Sequence, residues 1–213
     1  MTDKRDGYLL LRELKMLAQP NVLRSTSQLI SALTIFVISV MTTQIFESLW
    51  VWSLCWLVAL VMLMRLVIIQ HDCGHYSLYR SRRVNDWIGY LISPLTTIPF
   101  GYWRLSHNIH HSNQSNLDAR SDTEYPTLTT DEYQRLSPRE QRRYQLTRSA
   151  LGVCFIIPIL LLVGVYRVPN RVAREARLTR SMLLLDVALI SLWTSSSFGI
   201  SFAFGIWLIS MQA

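Results

Sequence analysis

All five histidines of the chain fall in two short clusters, His71-Asp72-Cys73-Gly74-His75 and His107-Asn108-Ile109-His110-His111. Neutral imidazole suits iron, zinc, copper or nickel, so clusters of this kind point to a metal site without naming the metal. On a helix, positions i and i+4 share a face, which aligns His71 with His75; His107, His110 and His111, at i, i+3 and i+4, are aligned in the same way. The spacing predicts that His71, His75, His107, His110 and His111 converge between two helical segments. Soluble zinc hydrolases place a catalytic carboxylate beside their histidines. Here Asp72 is the only carboxylate within either cluster.

The first cluster begins where a long apolar run ends. Leu29 to Phe46 carries no charge and Leu49 to Ile69 carries only Arg65, and each run approaches the roughly 20 residues a helix needs to cross a bilayer core. Half of the 213 residues are hydrophobic, which favours a membrane protein over a soluble globule. Arginine at the centre of a span costs about 2.5–3.5 kcal/mol, whereas Leu, Ile, Val and Phe each return about 0.3–0.6. The aliphatic residues from Leu57 to Ile69 offset that cost, and Arg65 lies close enough to the end of the run to snorkel. Lys4, Arg5, Arg12, Lys15 and Arg24 precede the first run and Arg80, Arg82 and Arg83 follow the second, so both ends of this hairpin are expected to face the cytoplasm.

The fold expected is all-α: an integral membrane protein of transmembrane hairpins with a cytosolic, histidine-bearing helical cap. Residues 1–28 form a cytosolic or interfacial N-terminal helix, uncleaved, with Leu10, Leu14 and Leu17 at helical spacing. Residues 29–69 form the hairpin, 70–148 the cytosolic region with both clusters, and 149–213 a C-terminal membrane region. Between the clusters, Trp87 to Phe100 is too short to span and is expected to be interfacial or re-entrant. Pro138 to Arg148 is a charged helix candidate. Ala150 to Tyr166, followed by Arg167, Arg171, Arg174, Arg177 and Arg180, is expected to re-enter rather than cross, and Met182 to Met211 is one long helix or a hairpin turning at Ser195 to Gly199.

The net charge of +7 comes largely from arginines flanking apolar runs, a pattern of contact with anionic lipid headgroups rather than nucleic acid. The three cysteines imply no disulfide framework, and Cys73 is expected to be a small buried filler. Competing functions are a non-catalytic metal-binding or remnant membrane protein, and a small transporter using Arg65 and Asp186.

His71-Asp72-Cys73-Gly74-His75-Tyr76-Ser77-Leu78, then Asn85-Asp86, then Trp103-Arg104 leading into His107-Asn108-Ile109-His110-His111 and Asn116-Leu117-Asp118, resembles the first two histidine boxes of membrane fatty acid desaturases, most nearly the omega-6 acyl-lipid type. The likeness is specific between about residues 70 and 133. It implies a non-haem di-iron centre held by the five histidines, reduced by a ferredoxin or cytochrome-type donor, which uses O2 to remove two hydrogens from adjacent methylenes of a fatty acyl lipid. Asp72 and Asn108 would then hold imidazole N–H groups and fix their tautomers. The family carries a third box, His-x-x-His-His or a close variant, and this chain has no sixth histidine. The resemblance therefore implies a C-terminally truncated desaturase that binds iron incompletely.

Overall fold

The computed structural model describes residues 19–113, 116–119, 127–157 and 160–195, and every regular element among them is helical. Helices α1 (Val22–Ile45) and α2 (Leu49–Gly74) form an antiparallel hairpin. At 1.5 Å per residue they are about 36 and 39 Å long, more than the roughly 30 Å of a bilayer's hydrocarbon core. Only 22% and 28% of their most apolar stretches are buried within the protein. Ala32 and Phe36 of α1 pack with Ala59, Leu63 and Leu66 of α2, while Ile38, Met41, Trp50, Leu54 and Val61 face outward. Such apolar exteriors belong to helices whose surroundings are themselves apolar.

Polar contacts fix the histidine end of this hairpin. Asn21 caps α1 by accepting from the Arg24 N–H at 3.0 Å. Ser25 Oγ donates to the Leu78 carbonyl at 2.7 Å, and the hydroxyls of Thr26 and Tyr79 lie 3.0 Å apart, so the first turn of α1 sits beside the segment leaving α2. The first helix starts at Val22 rather than Leu29, which makes residues 22–28 the first two turns of the apolar helix. Asn21 supplies the cap that starts it there.

Helix α3 (Arg82–Thr96) turns through Thr97 to Pro99 into α4 (Phe100–Asn113). The buried positions of α3 are small or polar, Asn85, Gly89, Ser93 and Thr96 with Ile92, while Val84, Trp87 and Leu91 face outward. Gly89 lies against the Phe100 ring, and a side chain there would collide with it. At the centre is Gln70 of α2, 1% exposed. Its Nε2, with two hydrogens to donate, faces three acceptors, the carbonyls of Gly89 and Ile98 at 3.2 and 3.3 Å and Ser93 Oγ at 3.0 Å; its Oε1 accepts from Thr96 Oγ1 at 2.8 Å. One buried amide thus joins α2 to both α3 and the turn that launches α4.

Helices α5 (Thr130–Arg135) and α6 (Pro138–Arg148) each begin with a reciprocal capping box, Thr129 with Glu132 and Ser137 with Glu140. Gly152–Ile156 and Leu160–Val165 are wound as π-helix, and α7 (Arg171–Glu175) and α8 (Thr179–Ser195) follow. Tyr166 is buried with Tyr102 of α4, Asn170 Nδ2 donates to Tyr102 Oη at 2.6 Å, and Arg167 bonds the Thr97 carbonyl and Asp186. The apolar segment that ends at Tyr166 thus closes beside the base of α4. Residues 1–18 of the N-terminal helix expected over 1–28, Pro158, and the turn and limb after Ser195 lie outside the described residues.

Replacing Gln70 with leucine keeps the volume but leaves the hydroxyl and carbonyl groups around it short of partners, at about 1–3 kcal/mol for each group left unsatisfied. A lower apparent melting temperature of detergent-solubilised Gln70→Leu, at unchanged helical content below the transition, is the expected result.

Candidate metal centre

The two histidine clusters occupy the last turn of α2 and the second half of α4. Helix α2 runs past Ile69 to Gly74, with His75 as its C-cap, so His71 and His75 stand at the end of the apolar helix itself. The chain then passes Tyr76, whose φ of 56° lies in the left-handed region, and folds back through α3. Asn85, fully buried, holds that return: its Oδ1 accepts from the Tyr79 N–H at 3.1 Å and its Nδ2 donates to the carbonyls of Tyr79 and Ser81, both at 2.7 Å. Arg104 then locks α4 in place. Its guanidinium pairs with Asp86, donates to Tyr76 Oη at 2.8 Å, and lies over the rings of Tyr76 and Phe100. The non-histidine residues of the motif are therefore the joints between the two boxes.

Across that junction four imidazoles meet. One ring nitrogen each from His71, His75, His107 and His111 lies within 4.8 Å of all the others. His107 is the hub, its Nε2 standing 3.1 Å from those of His71 and His75 and 3.0 Å from that of His111. A ring nitrogen offers a single N–H or a single lone pair, so at most one of these three contacts is a hydrogen bond. Nitrogens about 2.0–2.1 Å from one ion and at right angles around it lie about 3.0 Å apart. The donor set and its spacing therefore fit a single transition-metal ion, with His107 adjacent to each of the other three.

The electrostatics agree with that fit. Burial, followed by the imidazoles of His71, His111, His75 and His110, pushes the His107 pKa down to about 4. His75 is lowered by burial and by His71 and His111, against an opposing pull from Asp72. Both rings are therefore neutral at pH 7, the form that binds metal.

His110 stands apart from this group, its ring 6.3 Å from that of His107 and 5.8 Å from that of His111. At 100° per residue, i+3 and i+4 lie on opposite sides of i, about 100° from each other; the side of His107 that carries His111 faces α2. Asp72 Oδ1 is 3.6 Å from His71 Nδ1, beyond hydrogen-bond reach. Among the described residues Asn108 bonds no imidazole. Cys73 is fully buried in the core, as a packing residue would be. Asp186 is paired with Arg167 at 2.6 Å, a structural counter-ion rather than a free intramembrane charge.

The fatty acid desaturase family model matches residues 47–213, which include all of these residues. The chain belongs to the fatty acid desaturase family. It is 32% identical over 165 residues to a fatty acid desaturase of Bacillus subtilis, covering 70% of this chain and 47% of that protein. It is 35% identical over 80 residues to an sn-1 acyl-lipid omega-3 desaturase (ferredoxin) of Synechocystis, covering 38% of this chain and 22% of that protein. A match of 36% over 81 residues to an sn-1 oleoyl-lipid 12-desaturase of Arthrospira platensis likewise covers 38% of this chain and 22% of the relative. The chain thus spans less than half the length of these curated relatives. No solved structure matches it.

The sequence motif includes Trp103 but gave it no role; it stacks on His107 at 4.6 Å between ring centres and 17° between planes, and reaches His71 at 5.6 Å. Its place four residues before His107 was the available signal.

Because His107 touches every other member of the cluster, His107→Ala should weaken metal binding by more than the roughly 10- to 100-fold loss typical of an outer partner. His110→Ala should cost less. Metal titration of the two variants in detergent, followed by elemental analysis, makes the comparison.

Proposed function

We propose that this chain is the histidine-bearing membrane portion of an acyl-lipid desaturase, an integral, multi-pass protein whose boxes face the cytoplasm. His71, His75, His107 and His111 would hold one iron of a non-haem di-iron centre, and His110, turned to the other side of His107 around α4, would serve the second. The observation that carries this reading is the convergence of four imidazole nitrogens at the end of an apolar helix long enough to cross a bilayer. A lipid tail drawn from the bilayer beside α2 has only a short way to travel to that point.

Iron bound there supplies the oxidising power needed to take hydrogen from an unactivated methylene, with O2 as the terminal acceptor. A ferredoxin or cytochrome-type donor supplies two electrons, so that O2, two acyl hydrogens and two protons leave as water and a C=C bond remains. The protein's part is placement. Gln70 and the Arg104–Asp86 pair hold the two helices in register, and burial keeps His107 unprotonated. The ferredoxin in the name of the Synechocystis relative supports a donor of that kind. The arginines at the histidine end of the hairpin, Arg24, Arg80, Arg82 and Arg83, support a cytoplasmic face, where such a donor is present.

The test has two parts. Protein purified from iron-replete cells should carry iron rather than zinc; zinc alone would favour a non-catalytic metal binder. Residues 70–133 placed in the matching position of the Bacillus relative should support new double bonds in membrane lipids, falling to background with His107→Ala. An iron-loaded chimera that leaves every acyl chain unchanged would rule out desaturation by this site.

A further inference from the structure

Gly74 lies between the two histidines of the first box, at the last position of α2, and it is buried. No glycine among the described residues has a positive φ, so the backbone does not require glycine here. Space does. A Cβ at position 74 would lie 2.6 Å from Cζ3 of Trp103, well inside van der Waals contact, and 3.4 Å from its Cη2.

The indole that fills this notch is the one stacked on His107 and tilted against His71. Its ring edge abuts α2 while its face lies along the hub imidazole. Trp103 is rigid, and a displacement at its edge passes to the face, because the ring moves as one body. We propose that Gly74 and Trp103 form a notch and wedge that sets the separation and ring plane of His107 relative to His71 and His75, making Trp103 a positioning residue for the metal cluster. Trp103 acts through His107.

This inference rests on the metal-centre reading, and the experiment separates the two. Helix propensity alone favours alanine over glycine at a helical position, so a purely local view has Gly74→Ala neutral or stabilising. The notch demands the opposite at the metal. The full chain in detergent is titrated with Co2+ alone, reading affinity and ligand-field absorption, with far-UV circular dichroism as the fold control. Gly74→Ala should bind Co2+ roughly 10- to 100-fold more weakly with shifted bands, the loss typical when a group orienting a ligand is disturbed. Gly74→Ala with Trp103→Phe should regain most of that affinity, since phenylalanine ends short of the Cζ3–Cη2 edge. Trp103→Leu, which leaves Gly74 unchallenged, should keep its helical signal but alter the bands, and it decides the matter if Gly74→Ala does not fold. Parental affinity and bands in Gly74→Ala, a loss that Trp103→Phe does not restore, or unaltered bands in Trp103→Leu would each overturn the notch alone. No Co2+ uptake by the parent chain would remove the metal centre and this role with it.

Discussion

A single buried amide governs where the chemistry can sit. Gln70 precedes His71 by one residue and spends its hydrogen-bonding groups on α3 and on the turn from which α4 starts. An unpaired amide in an apolar interior costs several kcal/mol, so the end of α2 cannot rotate or slide without exposing or orphaning that group. Fixing Gln70 fixes the azimuth of His71 and, one turn on, of His75. The same bonds fix the origin of α4, two turns before His107.

The second constraint is ionic. Arg104 is half-buried between Asp86, Tyr76 and Phe100, and a guanidinium in that position is tolerable only with its partners in place. It therefore acts as a gauge of the distance between α4 and the return segment after the first box. With the amide below and the guanidinium beside it, the α4 histidines have one way to face the α2 histidines. The cluster is costly without a cation, since four rings crowd their nitrogens within 4.8 Å, and that cost is what makes it receptive to one. The apolar exterior of the α1–α2 hairpin and the outward Val84, Trp87 and Leu91 of α3 put this polar assembly beside an apolar medium.

Much of this was legible in the sequence because it is encoded locally. Apolar run length located the two long helices, i and i+4 spacing paired His71 with His75 and His107 with His111, and the charged candidate from Pro138 to Arg148 is a helix with those bounds. What escaped was non-local. Gln70 was the uncharged polar residue at the end of an apolar run, a visible signal, but its partners lie 19 to 28 residues away. Trp103 and Gly74 are 29 positions apart, and no periodicity links them. His110 was grouped with its neighbours because i+3 and i+4 both count as the face of i, whereas a four-nitrogen cluster is narrow enough to tell one side of that face from the other.

Helices α2 and α4 bring four imidazole nitrogens within reach of a single ion. X-ray absorption at the iron edge of the metal-loaded full chain reads that ligation. The structure predicts a nitrogen-rich first shell with the outer-shell scattering of about four imidazole rings, at metal–nitrogen distances close to the roughly 2.0–2.2 Å of histidine ligation. An oxygen-dominated shell with no imidazole scattering would contradict it.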